Sequence, residues 1–492
     1  MTDQPPAEVP GAFGRRVGSS VRWSLVDQVV QQLIRLGIVV LLTRFTSPDA
    51  YGLIGMAFLF TGLATFIGDL GLGTAVVQRA QLRREHLDTA WTASLLAGTV
   101  LFALTVLLAR PAADFFDQPG LAAVLMVVAL NFPLRGPMGV VRDRLRRDLT
   151  FRSIALVNVI SVTVSGVVAV IMAVSGYGVW ALVSYSVLES ALIAAGMSLA
   201  LVREGHHHPR PRIHRGAFAD IGSFGAAVMG AKLLTYIQMN ADNLLVGKFL
   251  GSAALGYYGL AYRLMLYPIQ RVGDVTSNVT LPVFSRLVDA PGRLTRAFGS
   301  STAAICFVSF PFAAATVTSA PILVPAVLGE QWAPATLCLQ VLTLNAPRLA
   351  LVRLTGSLFQ AIGRPHWEFA ISMIAVPLYV VGFVIGLRYG IVGVAIGYTL
   401  VGHLVALPHL VLLWRTPLVR PGRILIGLWP LVVQSVALAA TVLLVARLTA
   451  GEALGLRAVL VVGAGALVWG LVALTTSRQL LGEARSLLVA RG

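Results

Sequence analysis

Runs of about 20 apolar residues, the length a helix needs to cross the hydrocarbon core of a bilayer, recur along this chain from residue 23 to residue 476. Charged or Gly/Pro-rich segments separate them. They fall at 23–44, 52–77, 90–109, 121–141, 154–174, 179–202, 218–245, 255–282, 297–318, 336–361, 368–387, 391–414, 424–446 and 456–476. In lipid a spanning segment must satisfy its own backbone hydrogen bonds, and runs of this length do so as helices. The pattern therefore predicts an all-α membrane protein of about 14 transmembrane helices. Composition agrees, since 57% of the 492 residues are hydrophobic and 12% charged, against about 25% charged in a typical soluble domain.

In a soluble chain the formal charge of +17 would suggest nucleic-acid binding, which needs a basic patch beside stacking aromatics. Here the basic residues, all arginines except Lys232 and Lys248, punctuate apolar runs instead. No nucleic-acid partner is expected. Their distribution sets the orientation, because cytoplasmic loops keep the excess of positive charge. With the N-terminus inside, alternate loops collect Arg15, Arg16 and Arg22, then Arg79, Arg83 and Arg84, then Arg142, Arg144, Arg146, Arg147 and Arg152, and the pattern continues to Arg478, Arg485 and Arg491. About 25 basic residues lie on that side against about 6 on the other. Both termini are expected in the cytoplasm and the chain in the inner membrane. The first 22 residues hold no short apolar core with a cleavage site, so the first run reads as a retained helix. Cys306 and Cys338 sit inside apolar runs and do not form a disulfide framework.

Two segments recur. LLTRFTSPDAYGLIGMA at 41–57 matches LLVGKFLGSAALGYYGLA at 244–261, and YGVWALVSY at 177–185 matches YGIVGVAIGY at 389–398. Similar offsets point to duplication. The expected organisation is a cytoplasmic segment 1–22, an N-lobe 23–202 of six helices, a basic linker 203–217, a C-lobe 218–414 of six helices, a loop 415–423, two extra helices in 424–476, and a cytoplasmic tail 477–492. Two six-helix lobes of like orientation would be pseudo-symmetric about the membrane normal and hold substrate in a central cavity between them.

Ionisable side chains at mid-bilayer cost about 2.5–3.5 kcal/mol each, so they face a cavity or a partner. In the first span Asp27, Gln31 and Arg35 are spaced by four and share a face. In the eighth, Arg263, Tyr267, Gln270, Arg271, Asp274 and Asn278 follow steps of three and four, a polar stripe about 22 Å long. The seventh adds Lys232, Tyr236, Asn240 and Asp242, and the second holds Asp69 within GDLGLG. Arg135, Arg348 and Arg353 are secondary cavity candidates, and basic groups in the spans outnumber acidic ones. The alternative for any of these charges is a structural bridge between helices. Glu189, with no opposite charge on its own helix, reads as a lone interhelical hydrogen-bonding group.

His206-His207-His208 lies in a basic, proline-rich loop without a carboxylate or cysteine cluster, and a solvated loop is expected rather than a metal site. Glu330 and Trp332 sit in the longest outer segment, as a packed re-entrant turn or a cap on a cavity mouth. No GxxxxGK[ST], HExxH or GxSxG pattern occurs, so ATP hydrolysis and familiar hydrolytic chemistry are unsupported, and no metal or catalytic residue is assigned.

GDLGLGTAVVQR at 68–79, LLVGKFLGSAALGYYGLAYRL at 244–264 and AIGRPHWEF at 361–369 resemble the polysaccharide-transporter, Wzx-like flippases of the multidrug/oligosaccharidyl-lipid/polysaccharide exporter superfamily, over about residues 20–415. The resemblance implies two six-helix lobes around a V-shaped cavity that opens alternately to each side. It implies export of an undecaprenyl-pyrophosphate-linked oligosaccharide for surface polysaccharide synthesis. Cavity cations would hold the anionic head, here Arg35, Lys232, Arg263 and Arg271 by helix and face. Asp27, Asp69, Asp242 and Asp274 would position the arginines or take a coupling H+ or Na+; the membrane potential is the other energy source, and no cofactor is implied. Lipid-linked oligosaccharide and membrane lipids are the expected partners, with a polymerase and glycosyltransferases beside a monomeric transporter. Three alternatives remain: a peptidoglycan lipid-precursor flippase, a drug or cation exporter of the same superfamily, and a non-transport enzyme or scaffold of glycan assembly.

Overall fold

The structure, a computed structural model, describes residues 10–68, 83–214 and 225–489; within these, the side chains of 10–21, 63–68, 225–235, 271–279, 475–489 and a few others are not described. Asp69 and most of the GDLGLG motif lie outside the described residues. So do the side chains of Lys232, Arg271, Asp274 and Asn278.

All regular structure among the described residues is helical. In chain order the helices are α1 (Pro10–Phe45), α2 (Pro48–Gly68), α3 (Arg84–Phe116), α4 (Gly120–Val128), α5 (Asn131–Arg147), α6 (Phe151–Val174), α7 (Val179–Arg203) and α8 (Gly225–Arg286). There follow α9 (Pro291–Leu323), α10 (Ala335–Thr343), α11 (Ala346–Ala361), α12 (Pro365–Leu387), α13 (Gly390–Arg415), α14 (Pro421–Leu448) and α15 (Leu454–Val489). Twelve stretches of the described residues are long and apolar enough to cross a membrane. α4 with α5 makes one of these, and α10 with α11 another. Gly251, at φ 86°, breaks α8 into two rods, and apolar α2 runs up to the edge of the described residues. With α2 counted and α8 divided, the number is the fourteen that the apolar runs lead one to expect.

Contacts divide the chain into two compact units, Met1–Gly256 and Tyr257–Gly492, with the division inside α8. In the first unit α1 packs on α6, α6 and α5 on α7, and α3 on α5. In the second, α12 packs on α13, and α9 on α11 and α14. Large apolar side chains such as Leu107, Ile426 and Leu448 lie more than 70% exposed. On helices of this length such faces are solvated by lipid tails rather than water.

Local sequence sets the helix ends. Proline opens α9, α12 and α14, where its missing N–H costs nothing and its fixed φ suits the first turn. Gly363 closes α11 at φ 74°. Beyond it, the Arg364 N–H reaches back to the Phe359 carbonyl at 2.8 Å, a left-handed glycine cap that accounts for the order Ile-Gly-Arg-Pro.

The first repeated segment is used for packing. In the first unit a Cβ added at Gly52 would overlap the backbone carbonyl of Ser252, and one at Gly256 would overlap that of Pro48. Each copy of the motif thus contributes the glycine that admits the other's backbone, the small-residue contact by which membrane helices approach closely. The Ser252 hydroxyl also donates to Asp49.

The histidine loop is largely exposed, with His207 open, but it is tied to the first unit at several points. His206 bonds Asp148 at 2.8 Å, while His208 meets Ser198 and the Trp91 ring. The Arg210 N–H donates to buried Asp88 at 2.8 Å. Trp332 is fully buried against Tyr257, which makes its segment a packed turn. Cys306 and Cys338 are both buried and free.

Candidate functional site

Two spans are broken in the same way. α4 and α10, nine residues each, stop at a short turn, and α5 and α11 resume beyond it. The turns carry Leu130-Asn131-Phe132-Pro133 and Leu344-Asn345-Ala346-Pro347, a repeated Leu-Asn-x-Pro. The proline has no N–H to continue the ladder, so the asparagine side chain must secure the break. Asn131 donates to Ser186 on α7 at 3.0 Å, and Asn345 donates to Thr399 on α13 at 2.7 Å. Each asparagine precedes an arginine by about one turn, Arg135 or Arg348.

In the first unit these groups join one hydrogen-bonded chain across four helices. Asn158 on α6 donates to Asp27 at 3.2 Å, and Gln31 donates to the other Asp27 oxygen at 2.6 Å. Arg35 reaches Gln31 at 3.5 Å, Tyr185 at 3.1 Å and Glu189 at 2.5 Å. Glu189 gives its second oxygen to Arg135 at 3.4 Å. Arg135 also donates to Ser190 at 2.5 Å, and the Ser190 hydroxyl donates to Asn131. The Glu189 side chain is 6% exposed, whereas those of Arg35 and Arg135 are 36% and 52% exposed. A buried carboxylate thus joins two guanidiniums whose side chains are themselves partly exposed.

Glu189 is therefore not the lone hydrogen-bonding group that its own helix suggested. Its partners come from α1 and α5, which periodicity within one helix cannot show. Asp27 bonds amides, so the carboxylate that positions Arg35 is Glu189. Within this cluster two basic side chains, Arg35 and Arg135, stand beside two acidic ones, Asp27 and Glu189.

The second unit repeats the frame with one difference. Tyr185, Ser186 and Glu189 correspond to Tyr398, Thr399 and Gly402 when the match YGVWALVSY/YGIVGVAIGY is continued. Arg348, 7% exposed, donates to Asn345 at 3.1 Å and lies 5.7 Å from the Tyr398 ring centre. A Cβ at position 402 would sit 2.6 Å from its Cζ, so the guanidinium lies over Gly402. Among the described residues no carboxylate pairs with Arg348, and its Nη2 is buried without a hydrogen-bond partner. The first unit places a counter-charge where the second places only hydrogen.

Of the other sequence-derived candidates, Asp242 is buried and accepts from the N–H of Asn243 at 2.7 Å. Arg263 is exposed, Tyr267 and Gln270 are half-buried on α8, and Arg353 is half-buried on α11. Tyr236 donates to the Leu59 carbonyl at 2.8 Å, a packing role. Asn131, Tyr185, Ser190, Asn345 and Gly402 were not among the expected site residues. The repeated Leu-Asn-x-Pro is the signal that could have found the first and fourth.

Broken spans, polar chains at membrane depth and all-helical units define a multi-pass membrane transporter. The fold is similar to that of a solved lipid II flippase, MurJ, in an inward closed conformation: TM-score 0.71 at 16% identity, covering 94% of this chain and 100% of that one. It is also similar to an inward-facing multidrug resistance transporter of the MATE family, with TM-score 0.58 at 16% identity over 77% and 94% of the two chains. A family model described as "Polysaccharide biosynthesis protein" matches residues 41–337, and the chain belongs to that family. Relatives include the teichuronic acid biosynthesis protein TuaB of Bacillus subtilis, 25% identical over 72% of this chain and 73% of its own. The lipopolysaccharide biosynthesis protein WzxC of Escherichia coli is 24% identical over 78% of each. The succinoglycan biosynthesis transport protein ExoT of Rhizobium meliloti is 25% identical over 68% and 67%. The chain is a membrane transport protein of polysaccharide biosynthesis rather than an enzyme.

Proposed function

We propose that this protein is a flippase that carries a lipid-linked oligosaccharide from the cytoplasmic to the outer leaflet of the inner membrane, by alternating access. A pyrophosphate head cannot enter hydrocarbon without partners, and guanidinium groups supply charge-assisted, bidentate hydrogen bonds to its oxygens. The observation that carries the reading is Arg135. It is held by Glu189 and Ser190 through Nη2 and Nε, and its side chain is half-exposed, as a group that takes a phosphate needs to be.

Arg35, Lys232, Arg263 and Arg271 are proposed to share the anionic head, with Arg348 and Arg353 as further cations. Gln31, Tyr267, Gln270 and Asn278 would face the sugar. Asp27, Asp69, Asp242 and Asp274 would position cations or bind a coupling ion. The termini are placed in the cytoplasm, and the undecaprenyl tail stays in lipid. An inside-negative potential favours outward passage of an anion by about 2.3 kcal/mol per charge per 100 mV.

The test is Arg135→Gln and Arg35→Gln in cells that depend on the protein for surface polysaccharide. Lipid-linked oligosaccharide should accumulate on the inner leaflet while the folded protein remains in the membrane. Export at the wild-type rate by a correctly folded Arg135→Gln protein would sink the reading.

A further inference from the structure

The AIGRPHWEF segment ends on a pair that the transport reading does not use. His409, on α13, is 3% exposed. Its Nδ1 lies 3.1 Å from the Val405 carbonyl oxygen, and its Nε2 lies 3.1 Å from Glu368 Oε2 on the first turn of α12. A carbonyl oxygen can only accept, so Nδ1 carries a hydrogen. The Nε2 contact is then made in one of two ways. Either Nε2 also carries a hydrogen and the ring is an imidazolium facing a carboxylate, or Glu368 is a carboxylic acid donating to a bare Nε2. Both descriptions contain one proton more than a neutral imidazole and a carboxylate.

The surroundings suit a site that gains and loses this proton. Phe359 stacks on the His409 ring, centroids 6.1 Å apart and planes at 14°, and Trp367 closes on Phe359 edge-on at 5.3 Å. The Glu368 carboxylate packs against Gly356 of α11, where a Cβ would meet it at an ordinary contact distance of 3.5 Å. The Glu368 side chain is 34% exposed, which gives the proton a route to solvent. The other charged or titratable groups on the surrounding helices are Arg293, Arg296 and Cys306 on α9, Arg348 and Arg353 on α11, His366 and Tyr379 on α12, Tyr398, His403 and Arg415 on α13, and Arg364 just before α12, stacked over Trp367 at 4.6 Å. Among the described residues none of these bonds to Glu368 or His409.

We propose that Glu368 and His409 together form a proton-binding site, and that the proton held there is the coupling ion of transport. When it leaves, His409 keeps its Nδ1 hydrogen on Val405 and turns a lone pair toward a carboxylate 3.1 Å away. That contact is repulsive, so Glu368 swings toward solvent and the start of α12 separates from α13. Proton occupancy thereby sets whether these two helices are joined at this end. The coupling half of the proposal rests on the flippase reading; the proton site does not.

The experiment uses the full-length protein. Histidine 15N resonances of the 15N-histidine-labelled protein in detergent are followed from pH 5 to 9, with His409 assigned by its loss in His409→Gln. Transport of a lipid-linked oligosaccharide is measured in proteoliposomes with and without an imposed pH gradient. The expected result is a His409 15N response to pH that differs between the wild type and Glu368→Gln. Gradient-driven transport should fall at least tenfold in both variants, with thermal unfolding retained. A His409 titration indifferent to Glu368→Gln overturns the site. A His409 response that depends on Glu368, with undiminished gradient-driven transport in both variants, overturns the coupling. If the wild type carries no lipid-linked sugar, the functional reading fails and the resonance titration still decides the site.

Discussion

Replacing Glu189 by glutamine keeps the side chain's shape and one acceptor oxygen but removes the charge that two arginines share. At an effective dielectric of about 20, unit charges about 4 Å apart interact by about 4 kcal/mol. The 2.5 Å contact to Arg35 falls in this range, and the 3.4 Å contact to Arg135, on a side chain 52% exposed, adds less. Breaking a buried pair by removing one partner costs about 3–5 kcal/mol. With both guanidiniums partly exposed, a loss of about 3 kcal/mol is expected, or about a hundredfold in the folding equilibrium. Denaturant unfolding of the purified protein in detergent micelles measures it. The decisive comparison is the double variant Arg35→Gln/Glu189→Gln, which also removes the uncompensated cation. It should be less destabilised than the sum of the two single variants by at least about 1 kcal/mol. A loss under about 0.5 kcal/mol for Glu189→Gln, or simple additivity, would refute the shared-carboxylate account.

Three further outcomes follow from the packing. Gly52→Ala should cost about 1–3 kcal/mol through overlap with the Ser252 backbone, whereas Gly55→Ala, with only a Leu255 methyl 3.6 Å away, should shift thermal stability by no more than a degree or two; equal effects would count against the close approach. Asn345→Ala, which frees Thr399 and Arg348 of their partner, should cost about 1–3 kcal/mol, read as a lower unfolding midpoint in micelles. Asp88→Ala should release the linker from the start of α3 and speed tryptic cleavage after Arg212; an unchanged digestion rate would contradict the anchoring.

Helix number and class were legible because each bilayer crossing needs its own apolar run, and arginines mark the gaps. Element ends were legible where Gly-x-Pro chemistry sets them, as at Gly363. The partnership of Glu189 was not, because Arg35 and Arg135 are brought to it by α1 and α5, and no periodicity within one helix encodes contacts between three. The breaks at Asn131 and Asn345 were also missed. Runs of mostly apolar residues such as 121–141 and 336–361 read as continuous spans, and Pro133 and Pro347 within them do not reveal that an asparagine two residues earlier bonds a neighbouring helix. The expected cationic excess was a sum over residue types. Burial and pairing act on individual groups: the first unit's polar chain pairs two arginines with Glu189, whereas among the described residues no carboxylate pairs with Arg348.

The reciprocal contact of Gly52 and Gly256 ties the two copies of one motif to each other's shape. Any methyl gained by either copy collides with main chain belonging to its twin, and main chain has no alternative rotamer into which it could retreat. The neighbouring positions differ between the copies, Tyr51 in one and Leu255 in the other, while this pair is bare on both sides at once.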